Sequence, residues 1–381
     1  MYQVKIYNSI KEIKKEDWDS LTENNVFMSY NWLKTFEETT TILTKPYYLN
    51  VFYNEKLVCL FVCYLDKENT LSSIDELLLG RLRKFRLLRS LSFQPVLMCY
   101  PRKGFGTHLV ISNEVEKNQV QIIQNKVIDE VENIARSNKI SICFQFVMEH
   151  ETNLMKLLKI RGFYRTVSFP LNYIDINFSS FQEYKKYVSN RHPSMMKTIP
   201  REINKNRKAG IRINKIQNIN GIEKRLFELL LMNHKKYSNK NFTFKPSFFK
   251  TAKTNFGEDA IIYAAEKEGE IIGVCVELRN GVESYISSIG IDHNYSKDDF
   301  TYFNIMYYEP INNAISTGVK RIFYSNALYE LKSRRGCIVA NTYCFYKPYR
   351  KKGSKLKLKI WFGLHALWMA KKFPKLKYIS K

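Results

Sequence analysis

The sequence lacks the features that mark membrane-spanning and exported proteins. No window reaches the roughly 18 uninterrupted apolar residues that a helix needs to cross a bilayer. The first residues, MYQVKIYNSIKEIKK, mix charged with apolar side chains, whereas a signal peptide has an unbroken apolar core. We therefore predict a cytoplasmic protein and leave open a peripheral position on the inner membrane surface.

Motifs of several other classes are missing as well. The six histidines stand apart, with no HxxxH pair and no cysteine at zinc spacing, so we predict no metal site. The seven cysteines form no CxxC pair and are predicted to be buried free thiols. Neither GxSxG nor GxxxxGKS occurs, so the sequence gives no support for a serine hydrolase or a P-loop protein.

Acidic residues are scarce beside basic ones. The chain has 36 Asp plus Glu against 61 Lys plus Arg, which gives a net charge of +25. A field of this sign attracts nucleic acid, an acidic carrier protein, a nucleotide thioester or phospholipid, and the charge alone does not choose among them.

The chain contains the same order of predicted helix and strand–turn–strand elements in two places. At 381 residues, 45% of them apolar, it is long enough for two domains. Segments 46–66 and 259–280 each read as apolar strand, short polar turn and second apolar strand, and each follows a helical pattern. We predict an α/β (α+β) fold in which helices pack on mostly antiparallel sheets. The predicted domains are 1–170 and 171–346, followed by a tail, 347–381.

One residue conflicts with a continuous helix in the second copy. Pro310 lies inside the helix predicted near 300–316, where it removes a hydrogen bond and clashes with the preceding turn at roughly 3 kcal/mol. The sequence therefore predicts a kink or two short helices.

Three segments resemble the FemAB-like N-acyltransferases, a branch of the Gcn5-related N-acetyltransferase (GNAT) superfamily predicted to act in peptidoglycan-type acylation. They are NRHPSMMKTIPREINKNRKAGI, FNIMYYEPINNAISTGVKRI and ALYELKSRRG. The similarity covers most of the chain and is strongest over 162–348. It implies tandem GNAT-like domains, the second of them catalytic. The chain departs from the family pattern at Leu331, Tyr302 and Asn304, where relatives carry His, His and Glu, and this bears on the substrate more than on the fold.

The resemblance implies transfer of an acyl group from a thioester, acyl-CoA or acyl carrier protein, to a primary amine. An aminoacyl-tRNA donor is the alternative, and no tightly bound cofactor is expected. A non-catalytic protein that binds nucleic acid or membrane on the same scaffold is the alternative of another class.

Candidate site residues lie within the region of strongest similarity, 162–348. Glu330, Lys332 and Tyr343 are the predicted catalytic residues, with Glu330 placed to receive a proton from the amine. The predicted substrate-binding residues are Arg335, Arg201, Lys205, Asn304 and Tyr308. A structural ion-pair cluster around Glu330, and a solvated basic helix face for Arg201 and Lys205, are the alternatives.

Two loops indicate whether the chain can bind the phosphate groups of an acyl donor. In the GNAT superfamily a glycine-rich loop holds the pyrophosphate, but residues 291–300 here contain no glycine and include Asp298 and Asp299, which argues against ordinary acetyl-CoA binding. In the first copy PRKGFG offers Arg102, Lys103, Gly104 and Gly106 as a predicted phosphate cradle, unless the segment is only a turn.

The tail has no acidic residue from 347 to 381, and its tryptophans and leucines recur at helical spacing. This pattern is typical of an interfacial helix on anionic lipid. A helix docked on the protein's own core and a nucleic-acid arm are the other two interpretations.

Overall fold

The computed structural model describes residues 1–41, 44–66, 73–79, 93, 95–106, 109–238, 242–295, 298–349 and 355–372. Its strands are β1 (Tyr2–Tyr7), β2 (Lys45–Tyr53), β3 (Lys56–Asp66), β4 (Val96–Met98), β5 (Val110–Ile111), β6 (Ser141–Met148), β7 (Tyr164–Val167), β8 (Leu171–Asp175), β9 (Arg212–Ile216), β10 (Ala260–Lys267), β11 (Glu270–Asn280), β12 (Glu283–Ile291), β13 (Arg321–Tyr324), β14 (Ile338–Ala340) and β15 (Thr342–Lys347).

The α-helices are α1 (Lys15–Thr22), α2 (Tyr30–Thr39), α3 (Ser73–Leu78), α4 (Lys117–Asn138), α5 (Thr152–Ile160), α6 (Phe181–Arg191), α7 (Met195–Lys208), α8 (Glu223–Tyr237), α9 (Phe248–Phe256), α10 (Thr301–Phe303), α11 (Glu309–Thr317), α12 (Tyr329–Ser333) and α13 (Lys355–Lys372). Short 3₁₀ turns cover Ile10–Glu12, Val26–Met28 and Gly257–Asp259, and a π-helical turn covers Asn304–Tyr308.

The chain divides into two compact units, each discontinuous in sequence. Unit 1 comprises Met1–Thr22, Ile42–Leu171 and Ala340–Lys381, and unit 2 comprises Glu23–Thr41 and Asn172–Val339. The division expected from the sequence, 1–170, 171–346 and 347–381, consists of continuous segments. The compact units differ from it because residues 23–41 join unit 2 and residues 340–346 join unit 1.

Unit 1 contains a mixed sheet in the order β1-β2-β3-β4-β6-β15-β7, with β5 paired to β3. The β4–β6 ladder is parallel, and the other recorded ladders are antiparallel. Helices α4 and α5 bury their apolar faces with residues of the sheet in one core, which includes Phe61, Val127 and Phe144.

Unit 2 contains a second mixed sheet in the order β14-β8-β13-β12-β11-β10-β9. Here the parallel ladder joins β12 and β13, and the ladders from β9 through β12 and between β13 and β8 are antiparallel. Residues of α6, α7 and α11 complete its core. Two mostly antiparallel mixed sheets with helices packed on them confirm the predicted fold class.

Both predicted hairpins are present and closed by two-residue turns. Asn54 and Glu55 connect β2 to β3, and Glu268 and Gly269 connect β10 to β11, all four with positive φ. Paired positive φ values are typical of the type I′ turn, whose twist matches that of the flanking strands. The hairpins were predictable because a strand–turn–strand pattern is local in sequence.

Pro310 is accommodated by a π turn that divides the helical run into two short α-helices, α10 and α11. A π-helical turn over Asn304–Tyr308 precedes α11, so that Pro310 stands in the first turn of α11. A first-turn position tolerates proline because its missing N–H has no intrahelical partner there. The two candidate residues Asn304 and Tyr308 both lie in this π turn, a feature that occurs frequently at functional sites.

Gly290 marks a close approach of α8 to the second sheet. A Cβ atom at this position would lie 2.4 Å from the carbonyl carbon of Leu229 and 2.6 Å from its oxygen, both in the backbone of α8. Side chains cannot relieve such a clash, so α8 packs on β12 at this distance only over glycine.

We expect Gly290→Ala to lower the free energy of unfolding by about 1–3 kcal/mol, the usual cost of overpacking. Gly363→Ala is the matched control, because its Cβ would meet nothing within 4 Å. Urea denaturation of both variants measures the difference; equal stabilities would contradict the close packing of α8.

Candidate active site

The second sheet opens where its parallel strands separate. The β12–β13 ladder covers only three residue pairs, from Glu283 with Arg321 to Tyr285 with Phe323. Strand β13 ends at Tyr324, whereas β12 continues to Ile291 in its ladder with β11. Beyond Tyr285 no strand among the described residues pairs with β12 on this side, and we call this stretch of its edge the gap. Ser325 stands at its start because it follows β13 directly.

Lys332 on α12 is buried at this point. Its side chain is 1% exposed, and its Nζ donates hydrogen bonds to the carbonyl oxygen of Ser325 and to the Ser325 Oγ, the latter over 3.0 Å. Both acceptors are uncharged. Burial lowers the pKa of the Lys332 ammonium to about 7, although the Cys337 thiol acts in the opposite direction. Near neutral pH the lysine is therefore a mixture of amine and ammonium.

Arg335, one turn further along, has a different environment. Its Nη2 lies 2.9 Å from both carboxylate oxygens of Glu202, and both side chains are buried. The guanidinium carbon also lies 3.5 Å from the ring centroid of Phe303. Burial lowers the pKa of Arg335, but Tyr308 and Glu202 outweigh it and the net shift is upward. Arg335 stays charged.

The π turn completes the hydrogen bonding around Glu202. The Tyr308 hydroxyl donates to Glu202 Oε2, and burial raises the pKa of Tyr308. Asn304 Nδ2 donates to the carbonyl oxygens of Phe300 and Glu202, over 2.9 and 3.4 Å. Tyr308 and Arg335, two of the predicted substrate-binding residues, thus converge on one buried carboxylate, and a third, Asn304, bonds to the backbone carbonyl oxygen of the same residue.

Arg201 and Lys205 lie on the opposite, exposed side of α7. The Arg201 guanidinium carbon is 5.7 Å and the Lys205 Nζ is 5.4 Å from the ring centroid of Phe300. Together with exposed Lys208 they form a basic surface that carries one aromatic ring.

Glu330 and Lys332 are not on the same face of α12. Glu330 is exposed and Lys332 is buried, as expected for residues two apart on a helix.

Tyr343 belongs to unit 1. It lies on β15, paired with β6 and β7, and the Arg165 guanidinium carbon stands 4.0 Å from its ring centroid.

The PRKGFG segment, also in unit 1, follows β4 and forms a turn in which the Gly104 N–H donates to the Pro101 carbonyl oxygen. Arg102 is buried beside the ring of Tyr64. Burial lowers the pKa of Arg102 to about 10, and burial together with the charge of Arg102 lowers the pKa of Lys103 to about 8. Gly106, the fourth residue of the predicted cradle, has φ +88°.

The loop expected to repel a pyrophosphate is partly buried. Asp299 is 5% exposed, and its Oδ1 accepts hydrogen bonds from the Thr301 backbone N–H and hydroxyl. Its carboxylate thus caps the start of the helical run. Asp298 is exposed, and Ser296 and Lys297 of the same loop lie outside the described residues.

Two further features of the described residues lie apart from these groups. A cleft of about 160 Å³ in unit 2 is lined by residues that include Lys215, Lys253, Arg279 and Asn313 but none of the predicted site residues. Within the described ranges, no cluster of three His, Cys, Asp or Glu side chains could hold a metal ion.

The FemAB-like family profile, described as peptidoglycan biosynthesis/recognition, matches residues 9–356. The chain belongs to the FemAB-like family. It is an acyl or aminoacyl transferase that forms an amide bond, and the resemblance stated from the sequence is confirmed.

Solved structures agree with the fold of this FemAB-like chain. FemX is 11% identical and superposes with a TM-score of 0.58 over 90% of this chain and 96% of its own. A tandem GNAT protein from the clavulanic acid biosynthesis pathway is 9% identical, with a TM-score of 0.50 over 93% of this chain and all of its own. None of the curated protein sequences matches the chain.

Sequence reasoning missed two residues of this candidate site. Glu202 is the one acidic residue of α7, and an isolated acid at the spacing of the buried Met195, Ile199 and Asn206 was the available signal. Ser325 carried no signal, because its role depends on a contact with Lys332 that only the fold creates.

The buried Lys332 should make stability depend on pH. The folded chain holds this proton only below about pH 7, and the unfolded chain holds it up to the ordinary pKa of 10.5. Between these values the unfolded state binds more protons, so wild-type stability rises with pH. Relative to Lys332→Met, we expect a gain of roughly 2–3 kcal/mol from about pH 7 to about pH 9.

Urea denaturation at several pH values measures this difference. The control, Lys320→Met, replaces an exposed lysine just before β13 and should show no such trend. A pH-independent difference between wild type and Lys332→Met would contradict the lowered pKa.

Proposed function

We propose that this protein moves an acyl group from an activated carrier to a primary amine, and that the reaction takes place at the gap between β12 and β13 in unit 2. The observation that carries the proposal is the buried Lys332, whose Nζ lies beside Ser325 where the gap begins. A base with a pKa of about 7 is well matched to proton transfer near neutral pH.

In this proposal Lys332 takes the proton that the acceptor amine loses as the amide forms. Two N–H groups of the lysine donate to Ser325. The third position of Nζ is then a lone pair in the neutral form and an N–H in the charged form. The neutral form accepts a proton, and the charged form can donate to the oxygen that becomes negative in the transition state.

We assign Arg335 a positioning role and not a substrate-binding one. Its Nη2 already bonds to both carboxylate oxygens of Glu202, and a substrate anion would have to compete with this buried ion pair. Asn304 and Tyr308 share this role. We assign anion binding to exposed Arg201 and Lys205, whose charges are available to a ligand at the surface.

Two donor classes fit this arrangement. A thioester, acyl-CoA or acyl carrier protein, is our first candidate. The basic surface of α7 with Phe300 beside it also supports an aminoacyl-tRNA, because cations and aromatic rings together bind nucleic acid. Native mass spectrometry against acetyl-CoA, acetylated carrier protein and charged and uncharged tRNA decides between them. Saturable binding that depends on the acyl group identifies the donor.

We expect Lys332→Met to lower kcat by about 10²–10⁴-fold with little change in donor KM, the usual contribution of a general base. The measurement is amide formation from the identified donor with a panel of primary amines. Lys320→Met, at an exposed site, should react like wild type.

Glu330→Gln in the same assay separates the two candidate proton acceptors. We expect Glu330→Gln to keep full amide-forming activity and Lys332→Met to lose it. Full activity of Lys332→Met with loss in Glu330→Gln would move the role to the exposed carboxylate and overturn our assignment.

We also propose that α13 contacts anionic lipid. One face of α13 is docked within unit 1, where Phe362 packs on Tyr346 and the His365 ring bonds to the Thr166 hydroxyl. Ile360, Leu364 and Leu367 remain 52–60% exposed at helical spacing. The surrounding sequence, 347–381, has basic residues but no acidic ones, although 350–354 and 373–381 lie outside the described residues. None of the described helices has the length and apolar content to span a bilayer.

The triple change Ile360→Gln, Leu364→Gln, Leu367→Gln should weaken binding to phosphatidylglycerol vesicles by roughly tenfold or more, since it removes the apolar contact. Flotation of the protein with vesicles measures this. Ile160→Gln, at an apolar residue 79% exposed on α5, is the control. Undiminished binding of the triple variant would rule out this surface.

A further inference from the structure

Ser325 is held in a fixed position at the start of the gap. It follows β13 directly and is half-buried. Its carbonyl oxygen accepts hydrogen bonds from Lys332 Nζ and from Asn172 Nδ2, the latter over 2.8 Å. The backbone of Ser325 is therefore anchored from two sides, which leaves its hydroxyl 3.0 Å from the lysine Nζ.

We infer that Ser325 is a nucleophile that carries the acyl group as an ester between donor and acceptor, with Lys332 as its base. This inference rests on the proposed function and adds a covalent step to it. A serine and lysine within hydrogen-bond reach form one of the known pairs in nucleophilic catalysis, and such a pair requires neither histidine nor the GxSxG turn.

The chemistry requires a lysine that can accept a proton. An ammonium has three N–H groups and can only donate, as Lys332 does to both Ser325 oxygens. A neutral amine has two N–H groups and one lone pair, and rotation about the Cε–Nζ bond turns the lone pair toward Ser325 Oγ, so that the hydroxyl then donates to the amine. Burial at 1% exposure favours the neutral form. The titratable neighbour is Cys337, and burial raises the pKa of this thiol to about 12, so it supplies no negative charge near neutral pH to hold a proton on the lysine.

The reaction balances without another reactant. Ser325 Oγ attacks the carbonyl carbon of the donor, and Lys332 takes the hydroxyl proton. The bond from the carbonyl carbon to the carrier breaks, and Lys332 returns the proton to the departing thiolate or alkoxide. The acceptor amine then attacks the serine ester, the amide forms, and Lys332 moves a proton from the amine to the Ser325 oxygen.

Position also supports Ser325 over other serines. Ser325 is half-buried at the end of β13, and its Oγ lies 3.0 Å from the Nζ of the buried Lys332. Ser316 on α11 offers a contrast, because it is exposed and its Oγ donates to the Asn313 carbonyl oxygen.

The test uses the full-length protein with two probes, a serine-selective fluorophosphonate and the small thioester S-acetyl-N-acetylcysteamine. Intact-protein and peptide mass spectrometry should find one adduct, at Ser325. Hydroxylamine should remove the acetyl group, because it cleaves esters and leaves lysine amides intact. Ser325→Ala should lose the adduct, and Ser316→Ala should keep it.

Lys332→Met should slow labelling of Ser325 by about 10²-fold or more, as expected for loss of a base. Ser325→Cys is the second variant, because it keeps a nucleophile of similar size and should form a hydroxylamine-sensitive thioester with the acetyl probe. Thermal unfolding of each variant checks that the fold is intact.

Amide formation, measured separately, distinguishes failure of this inference from failure of the proposed function. If Ser325→Ala forms the amide at the wild-type rate, the acyl-serine is overturned and direct transfer stands. Equal labelling of wild type and Ser325→Ala would overturn it too. An acetylated Ser325 that no amine discharges would support the nucleophile and contradict amide transfer.

Discussion

The buried ion pair between Glu202 and Arg335 is the interaction on which the arrangement of unit 2 depends. It joins α7 to the residues just after α12, and Tyr308 ties the π turn to the same carboxylate. Removal of one partner of such a pair commonly costs 3–5 kcal/mol, because the other charge stays buried. Tyr184 adds a hydrogen bond to the Arg335 carbonyl oxygen. The position of α12, and with it that of Lys332, is therefore set by contacts that do not involve Lys332.

Lys332 and Arg335 are buried cations three residues apart, and they differ in charge state because they have different hydrogen-bond partners. Arg335 has a carboxylate, aromatic rings and a high intrinsic pKa, so it remains charged. Among the described residues, Lys332 has the carbonyl and hydroxyl oxygens of Ser325 as its hydrogen-bond acceptors, and desolvation lowers its pKa. A carboxylate beside Lys332 would hold it as ammonium and remove the base. In our proposal the burial of Lys332 beside uncharged acceptors serves reactivity, whereas the pairing of Arg335 holds it in position.

The sequence predicted the parts of this fold that are local and missed the parts that are not. The hairpins β2–β3 and β10–β11, and the helix before each, follow from strand, turn and helix patterns within short segments. The placement of β15 in the sheet of unit 1 depends on pairing with β6, about two hundred residues away, and no short pattern encodes it. The candidate site likewise has residues that the sequence predicted and contacts that it did not. Lys332 and Arg335 stood out as charges after an apolar strand, but their different environments depend on Glu202 and Ser325, which only the folded chain brings to them.

Helix α7 shows how one short segment can serve both the interior and the surface of the proposed enzyme. Its buried positions, Met195, Ile199, Glu202 and Asn206, alternate by three and four residues, and the exposed Arg201, Lys205 and Lys208 occupy the other face. The inner face holds Arg335 through Glu202, and the outer face is where we propose that a polyanionic donor binds. A donor held by that outer face is thereby bound to the same helix that positions α12. In that arrangement part of the net charge of +25 acts at the proposed site, because it brings the carrier to the helix that positions α12 and with it Lys332.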